Sequence, residues 1–328
     1  MARKKALITG LTGQDGSYLA ELLVDKGYQV FGLVRRSSSS KLTRLGDLDK
    51  QLQILSGDLL DQSSLMDAIT EAQPDEIYNL ASQSYVPTSW NQPVLTAEYT
   101  ALGVSRLLDS IRRCKPDAKF YQASSSEVFG QPDEAPQTER TAFRPRNPYG
   151  VAKAYAHWMT LNYCQEYNLY ACCGIAYTHE SSHRSPEFVF RKVTRGAAMI
   201  KLGLANELKL GNLEARRDWC YAKDVVYAMW LMLQQEQPDN YIIASGETHS
   251  VRELVESAFN CVGLNWQDYV SVDDAFYRRD EPVQLVGCID KIKTQLGWQP
   301  QHSFQQIVEL MVEHDLKELS NSYQNALC

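Results

Sequence analysis

Near the amino terminus a short apolar run, Lys5-Ala6-Leu7-Ile8-Thr9, meets three glycines spaced as Gly10-x-x-Gly13-x-x-Gly16, and then a helical pattern through Tyr18, Leu19, Leu22 and Leu23. A plain strand-to-helix turn needs one glycine. Three at this spacing suit a backbone that approaches a pyrophosphate, whose charge sits on the open N–H groups of the helix N-terminus. The spacing is not the better-known Gly-x-Gly-x-x-Gly, so the rest of the unit must support the reading. Further apolar runs at 28–34, 52–56, 76–81, 119–123, 170–177 and 240–245 alternate with helical patterns. That alternation predicts an α/β fold on a doubly wound parallel sheet, a Rossmann sheet in the cofactor reading.

The second strand selects between cofactors. An NAD unit usually ends it with an acid that holds the ribose 2′-hydroxyl. Here it ends in Arg35-Arg36-Ser37-Ser38, and no Asp or Glu falls between Asp25 and Asp47. Guanidiniums and hydroxyls suit a 2′-phosphate, which predicts NADP. Asp58, after the third strand, could take the adenine amino group or equally cap the helix from Ser63. The small residues around Ser82-Gln83-Ser84 let the chain pass close to a cofactor.

A second feature runs from Ser124 to Lys153. Ser124-Ser125-Ser126-Glu127 follows the strand at 119–123, and Asn147-Pro148-Tyr149-Gly150-Val151-Ala152-Lys153 opens a helix. Tyr149 and Lys153 stand four apart and share a helix face. An ammonium there favours the phenolate and predicts a Tyr149 pKa below its usual ~10, each unit being worth about 1.4 kcal/mol. A lone Tyr-x-x-x-Lys is more often a surface pair. The hydroxyls and carboxylate at the end of a strand, where α/β sheets open on a ligand crevice, favour chemistry instead.

The remaining bounds are broad. A chain of 328 residues holds one large α/β domain and a smaller lobe. A net charge of −7 without a dense basic block argues against nucleic acid as a partner. No apolar run reaches the ~20 residues of a membrane span. The eight cysteines lack Cys-x-x-Cys spacing, His spacing suggests no metal site, and reduced thiols fit a cytoplasmic protein. The adjacent Cys172 and Cys173 read as core.

An anionic ligand then needs local cations. Lys192 and Arg217 are candidates for a diphosphate, whereas Arg191, Arg195 and Arg216 read as solvated surface charges. The polar stretch Thr178-His179-Glu180-Ser181-Ser182-His183-Arg184 reads as crevice lining. Helices are expected at 94–113, 188–202, 251–261, 290–296 and 304–319, with a frayed tail from Ser320. The division expected is an NADP-binding Rossmann domain at 1–177, with 212–248 returning to it. A smaller, mostly helical substrate-binding lobe takes 178–211 and 249–328.

Taken together, these stretches resemble the extended short-chain dehydrogenase/reductases, and closely the GDP-mannose 4,6-dehydratases. The resemblance runs from Ala6 to about Leu316. It rests on Gly10-Leu11-Thr12-Gly13-Gln14-Asp15-Gly16, Arg35-Arg36-Ser37-Ser38, Ser124-Ser125-Ser126-Glu127, Tyr149 with Lys153, His179-Glu180-Ser181, Arg217-Asp218-Trp219 and Leu296-Gly297-Trp298.

The resemblance implies an internal redox cycle on a nucleotide sugar, with Ser125, Glu127, Tyr149 and Lys153 catalytic. Tyr149 would take the O4 proton as hydride leaves C4, with Ser125 on the same oxygen. Glu127 would remove the C5 proton and release water from C6. Gly10, Thr12, Gly13, Gln14, Asp15, Gly16, Arg35, Arg36 and Ser37 would hold the cofactor, with Asp58, Leu59, Leu80, Ala81, Ser84, Tyr149, Lys153, His179 and Arg184. Ser84, Thr178, Lys192, Arg217, Arg278 and Glu281 would face the substrate beside Ser125, Glu127 and Tyr149. The arginine-serine loop at 35–38 implies a homotetramer.

Several positions depart from the family pattern: Ser125 for Thr, Thr178 for Asn, Ser182-His183, Ser185, Cys220 for Gly, and the loop 277–282. They are expected to gather on the sugar-nucleotide side, which keeps another nucleotide sugar, such as a GDP-heptose, as an alternative. A non-catalytic NADP-binding protein would have lost one of Ser125, Glu127, Tyr149 or Lys153; all four are present.

Overall fold

The computed structural model of the chain describes residues 3–35, 42–273 and 284–327. In chain order, β1 (Lys5–Thr9), α1 (Gln14–Asp25), β2 (Gln29–Val34), β3 (Gln53–Ser56), α2 (Gln62–Ala72) and β4 (Glu76–Asn79) make the first half of the sheet. α3 (Val86–Asn91) and α4 (Pro93–Ala97) follow, then a π-helical turn (Glu98–Leu102) running into α5 (Gly103–Cys114). The single helix expected over 94–113 thus carries a change of hydrogen-bond register in its middle.

Beyond it lie β5 (Lys119–Ser125), α6 (Pro148–Tyr167), β6 (Ala171–Ala176), β7 (Thr178–Glu180) and α7 (Val189–Lys201). The chain ends with β8 (Leu208–Leu210), β9 (Arg216–Arg217), β10 (Trp219–Tyr221), α8 (Ala222–Leu233), β11 (Tyr241–Ile243), β12 (His249–Ser250), α9 (Val251–Cys261), β13 (Val270–Val272), α10 (Asp290–Leu296) and α11 (Phe304–Leu327). The tail expected to fray therefore continues as helix to Leu327.

Seven strands form one parallel sheet in the order β11-β6-β5-β4-β1-β2-β3. The order reverses between β1 and β4, which opens a crevice at their carboxyl ends. Side chains alternate across the sheet as a period of two requires. Ala6, Ile8, Tyr78, Tyr121 and Cys172 pack on one face with α1 and α8. Leu7, Ile77 and Phe120 pack on the other with α2, α5 and α6. A separate core joins α7, α9 and α11 through Phe190, Val193, Leu254, Phe259, Ile307 and Met311. Cys172 and Cys173 are fully buried free thiols, as their apolar strand suggested.

Local chemistry explains the boundaries. Asp61, not Asp58, caps α2, accepting from the N–H groups of Ser63 and Ser64; Asp58 instead accepts from the N–H of Leu60 in a tight turn. Ser250 and Glu253 form a reciprocal capping box on α9. Asp218 lies buried and gathers the N–H groups of Ser245, Gly246 and Gly287, tying the β9–β10 corner to the strap after β11.

Arg191 corrects one expectation. It is 4% exposed and pairs with Asp315 and Glu318 of α11 at 2.8 and 3.1 Å, so it joins two helices of the second core rather than facing water. Arg195 shares the same two acids, and Arg216 pairs with Glu253.

Candidate active site

The crevice at the strand ends widens into a cleft of about 2140 Å³ that runs from the glycine turn to β9. Its first wall is made by main chain. Gly10 has φ +72°, and a Cβ there would lie 2.7 Å from the Ala81 nitrogen; at Gly16 a Cβ would lie 2.3 Å from the Gly10 carbonyl oxygen. The turn and α1 are therefore packed as closely as glycine allows. Gly13 stands at the N-cap of α1 without a side-chain cap, so the first N–H groups of the helix open toward the cleft. This cradle fits a dinucleotide pyrophosphate.

Leu33, Val34, Arg35, Gly57, Asp58 and Leu59 continue the wall, with Leu80, Ala81 and Ser84 opposite. Arg35 donates to the Tyr99 hydroxyl at 2.8 Å. Arg44, which sequence reading passed over, donates to the Thr12 carbonyl at 2.9 Å and adds a second guanidinium beside the glycine turn. It follows the serine run in a segment without strand or helix periodicity, so nothing local marked it. Arg36 and Ser37 lie outside the described residues, as do Arg278 and Glu281.

At the other end β5 delivers Ser125, and a single 3-10 turn (Ser126–Val128) delivers Glu127. α6 begins at Asn147, whose side chain caps it, so Tyr149 falls in the first turn and Lys153 one turn later. The Ser125 hydroxyl accepts from the Glu127 N–H at 3.3 Å and lies close enough to the Tyr149 phenol to act on it. Lys153 Nζ donates to the Ala123 carbonyl at 2.7 Å and lies 5.7 Å from the centre of the Tyr149 ring.

Electrostatics differ from the expectation here. Burial pushes the Tyr149 phenol up to about 12; the nearby Ser125 hydroxyl opposes this, the Glu127 charge adds to it, and Arg184 opposes it. Burial likewise pulls Lys153 down to about 8. Lys153 does not offset that burial, because its ammonium is committed to a backbone carbonyl and is itself desolvated.

A third group sits on β7 and the segment after it. His179 places Nδ1 2.7 Å from the Tyr177 carbonyl and Nε2 2.9 Å from an Asp15 carboxylate oxygen. Both ring nitrogens face acceptors, which requires an imidazolium. Burial pulls its pKa down, but the charge and hydrogen bond of Asp15 outweigh that and the net direction is upward; Asp15 moves down for the reciprocal reason, against its own burial. Arg184 stacks on Phe188, 3.6 Å from the ring centre, and faces the buried Glu180 at 3.5 Å. Glu180 and Ser181 were expected in the crevice wall; Ser181 instead turns inward to Gln14.

Ser125, Glu127, Tyr149, Lys153, Thr178, His179, Arg184, Lys192 and Arg217 all line this one cleft, together with every described residue expected at the cofactor. Of the departures from the family pattern, the loop 277–282 lies outside the described residues, and four of the others do not line the cleft. His183 stacks on Tyr18 of α1 and hydrogen-bonds Ser17, Ser182 meets the Tyr18 hydroxyl, Ser185 bonds Glu187, and Cys220 is buried in the sheet core. Among the described departures, Ser125 and Thr178 alone line the cleft. Sequence position alone could not show which way these side chains turn. No group of His, Cys, Asp and Glu among the described residues could hold a metal ion, and no helix among them is long and apolar enough to cross a membrane.

Residues 7–311 match the family model of GDP-mannose 4,6 dehydratase. The chain is 48% identical to GDP-mannose 4,6 dehydratase 1 of Arabidopsis thaliana, over 96% of this chain and 90% of that protein. It is 45% identical to the Homo sapiens GDP-mannose 4,6 dehydratase, over 99% of this chain and 94% of that one. Among solved structures it resembles RMD from Pseudomonas aeruginosa complexed with NADPH, with TM-score 0.82, 25% identity and coverage of 96% and 99%. It shares its fold with dTDP-glucose 4,6-dehydratase from Bacillus anthracis in complex with NAD, with TM-score 0.85, 21% identity and coverage of 97% and 98%.

Proposed function

The chain belongs to the GDP-mannose 4,6-dehydratase family, and from that premise we propose that it converts GDP-mannose to GDP-4-keto-6-deoxymannose. It is a nucleotide-sugar hydro-lyase. The observation that carries the reading is the meeting of Ser125, Glu127, Tyr149 and Lys153 in one cleft with the dinucleotide cradle. A phenol and a carboxylate lining one substrate space can serve two separate proton transfers.

In this reading Tyr149 accepts the proton of the sugar O4, guided by Ser125, and Lys153 orients the reacting end of the cleft. A nicotinamide held at the cradle would supply the acceptor for the C4 hydride and the donor that restores it at C6, and its positive charge would favour the phenolate that burial disfavours. Once C4 is a ketone, the C5 proton is acidic. Glu127 takes it and gives it to the departing C6 hydroxyl, which leaves as water. The proton taken from O4 balances the one restored at C5, so no oxidant or reductant is consumed.

Arg35 and Arg44, with no acid at the end of β2, support NADP. Lys192 and Arg217 in the cleft wall support binding of the substrate diphosphate, and Thr178 contact with the sugar or phosphate. The residues proposed to hold the cofactor are 1–177 with 212–248, and those proposed to form the substrate lobe are 178–211 with 249–328. Free thiols support a reducing, cytoplasmic setting. Exposed apolar side chains on the outer faces of 93–102 and α6 support association into a homotetramer: Val94, Leu95, Leu102, Val151 and Trp158.

The test is mass spectrometry of the purified protein with GDP-mannose and no added reductant. A product lighter by one water, with unchanged total reduced cofactor, is the expected result. Intact GDP-mannose beside a dehydrated GDP-heptose would transfer the activity to the other sugar. If every nucleotide sugar stays intact while NADP binds, the catalytic reading fails.

A further inference from the structure

Asn147 touches both halves of the proposed chemistry. It adopts an extended backbone at the N-cap of α6 (φ −143°, ψ 159°), and its Oδ1 accepts from the Gly150 N–H at 2.8 Å. Its Nδ2 donates to Glu127 Oε2 at 2.7 Å. The amide has one workable orientation: the Gly150 N–H needs an acceptor, and the carboxylate needs a donor. A second contact fixes the same junction. A Cβ at position 150 would lie 2.5 Å from the Glu127 carbonyl oxygen, so the first turn of α6 rests directly on the turn that carries Glu127. One side chain therefore sets both the start of the helix bearing Tyr149 and Lys153 and the attitude of the Glu127 carboxylate.

The amide also divides the labour of the carboxylate. An N–H group can donate to Oε2 but cannot carry the sugar's proton. Oε1 is then the oxygen left to take the proton from C5 and hand it to the C6 hydroxyl, which breaks the C6–O bond and leaves as water.

We propose that Asn147 is a positioning residue for the elimination step, holding Glu127 by Oε2 so that Oε1 performs the proton transfer. This rests on the dehydratase reading. In Asn147→Asp the cap acceptor is kept, since Asp caps as well as Asn, but Glu127 meets an oxygen where it had a donor. Asn147→Ser also keeps a cap acceptor, on a shorter side chain that withdraws the donor without adding charge.

The experiment follows single turnovers with GDP-mannose in the parent protein and both variants. Cofactor binding and thermal melting serve as checks on folding. Reduced nicotinamide absorbance reads hydride loss from C4, and mass spectrometry reads water loss and solvent deuterium at C5. Both variants are expected to bind cofactor, to form reduced cofactor near the parent rate, and to lose water about 100-fold more slowly, the scale of a small misplacement of a reacting group. In Asn147→Asp alone, the acid limb of the elimination pH profile should also move upward, because adjacent carboxylates resist joint ionisation. Hydride transfer and water loss falling in equal proportion, or neither falling, would overturn the proposal. A parent protein that removes no water from GDP-mannose would overturn the reading beneath it, and the inference with it.

Discussion

Glu127 and Lys153 are where single side chains carry the most consequence. Glu127→Gln keeps the shape of the strand-end turn and the contact to Asn147 but removes the proton carrier. We expect it to oxidise the sugar, retain reduced cofactor, and lose water at least ~100-fold more slowly, read by absorbance and mass spectrometry in parallel. Lys153 makes a statement about stability. Its folded-state pKa, about 8, lies below the ordinary 10.5 because it is buried. Between these values the unfolded chain binds the extra proton, so stability rises with pH across this window and the deficit is fully present below pH 8. The rise amounts to something on the order of 3 kcal/mol. In Lys153→Met that contribution to the slope should vanish, which urea unfolding at pH 7.5 to 10.5 on both proteins would detect; equal slopes would mean the ammonium is better solvated than its 3% exposure indicates.

At the scale of elements, the glycine turn and α1 form one object. Gly16 lies where any side chain would strike the Gly10 carbonyl, and neither partner can yield, because Gly10 is itself pressed against the backbone of Leu80 and Ala81. Gly16→Ala should open the cradle and weaken NADP binding by at least ~10-fold, measured by titration. Unaltered affinity would mean that the helix shifts without disturbing its N-terminus. The segment 179–183 is bound to the same helix by His179 to Asp15, Ser181 to Gln14 and His183 to Ser17. A changed α1 should therefore also be felt at Arg184, the next residue along, which lines the cleft.

At the scale of the molecule, apolar surface has been left where a monomer gains nothing from it. Val94 is 75% exposed and Trp158 54% exposed, and both belong to helical segments packed side by side. Covering that face with a second copy would bury them. Trp158→Glu places a charge in the middle of such a contact and should shift the species seen by light scattering toward monomer while leaving the far-ultraviolet circular dichroism unchanged. Identical masses for both proteins would locate the association elsewhere.

The amino-acid order by itself determined the alternation of strands and helices, the glycine turn, and the Tyr-x-x-x-Lys helix, because each is a local matter of period, capping and backbone freedom. Boundaries at 251–261 and 290–296 could be read to the residue, since Ser250 and Glu253 close a capping box and Gly297 ends α10 in the left-handed region. Other features needed distance in sequence to become proximity in space. Arg191 looked like a surface cation until α11 brought Asp315 and Glu318 to it from more than a hundred residues away. Ser182, His183 and Cys220 looked like pocket residues until α1 and the sheet core claimed them. The Tyr149 proton was misjudged because spacing shows that Lys153 shares its face, but only packing shows that both are desolvated and that the ammonium is bound to Ala123. Asn147 was readable as a helix cap. That its other end holds Glu127 was decided only by the tertiary structure, because the intervening loop brings the two together by folding back on itself.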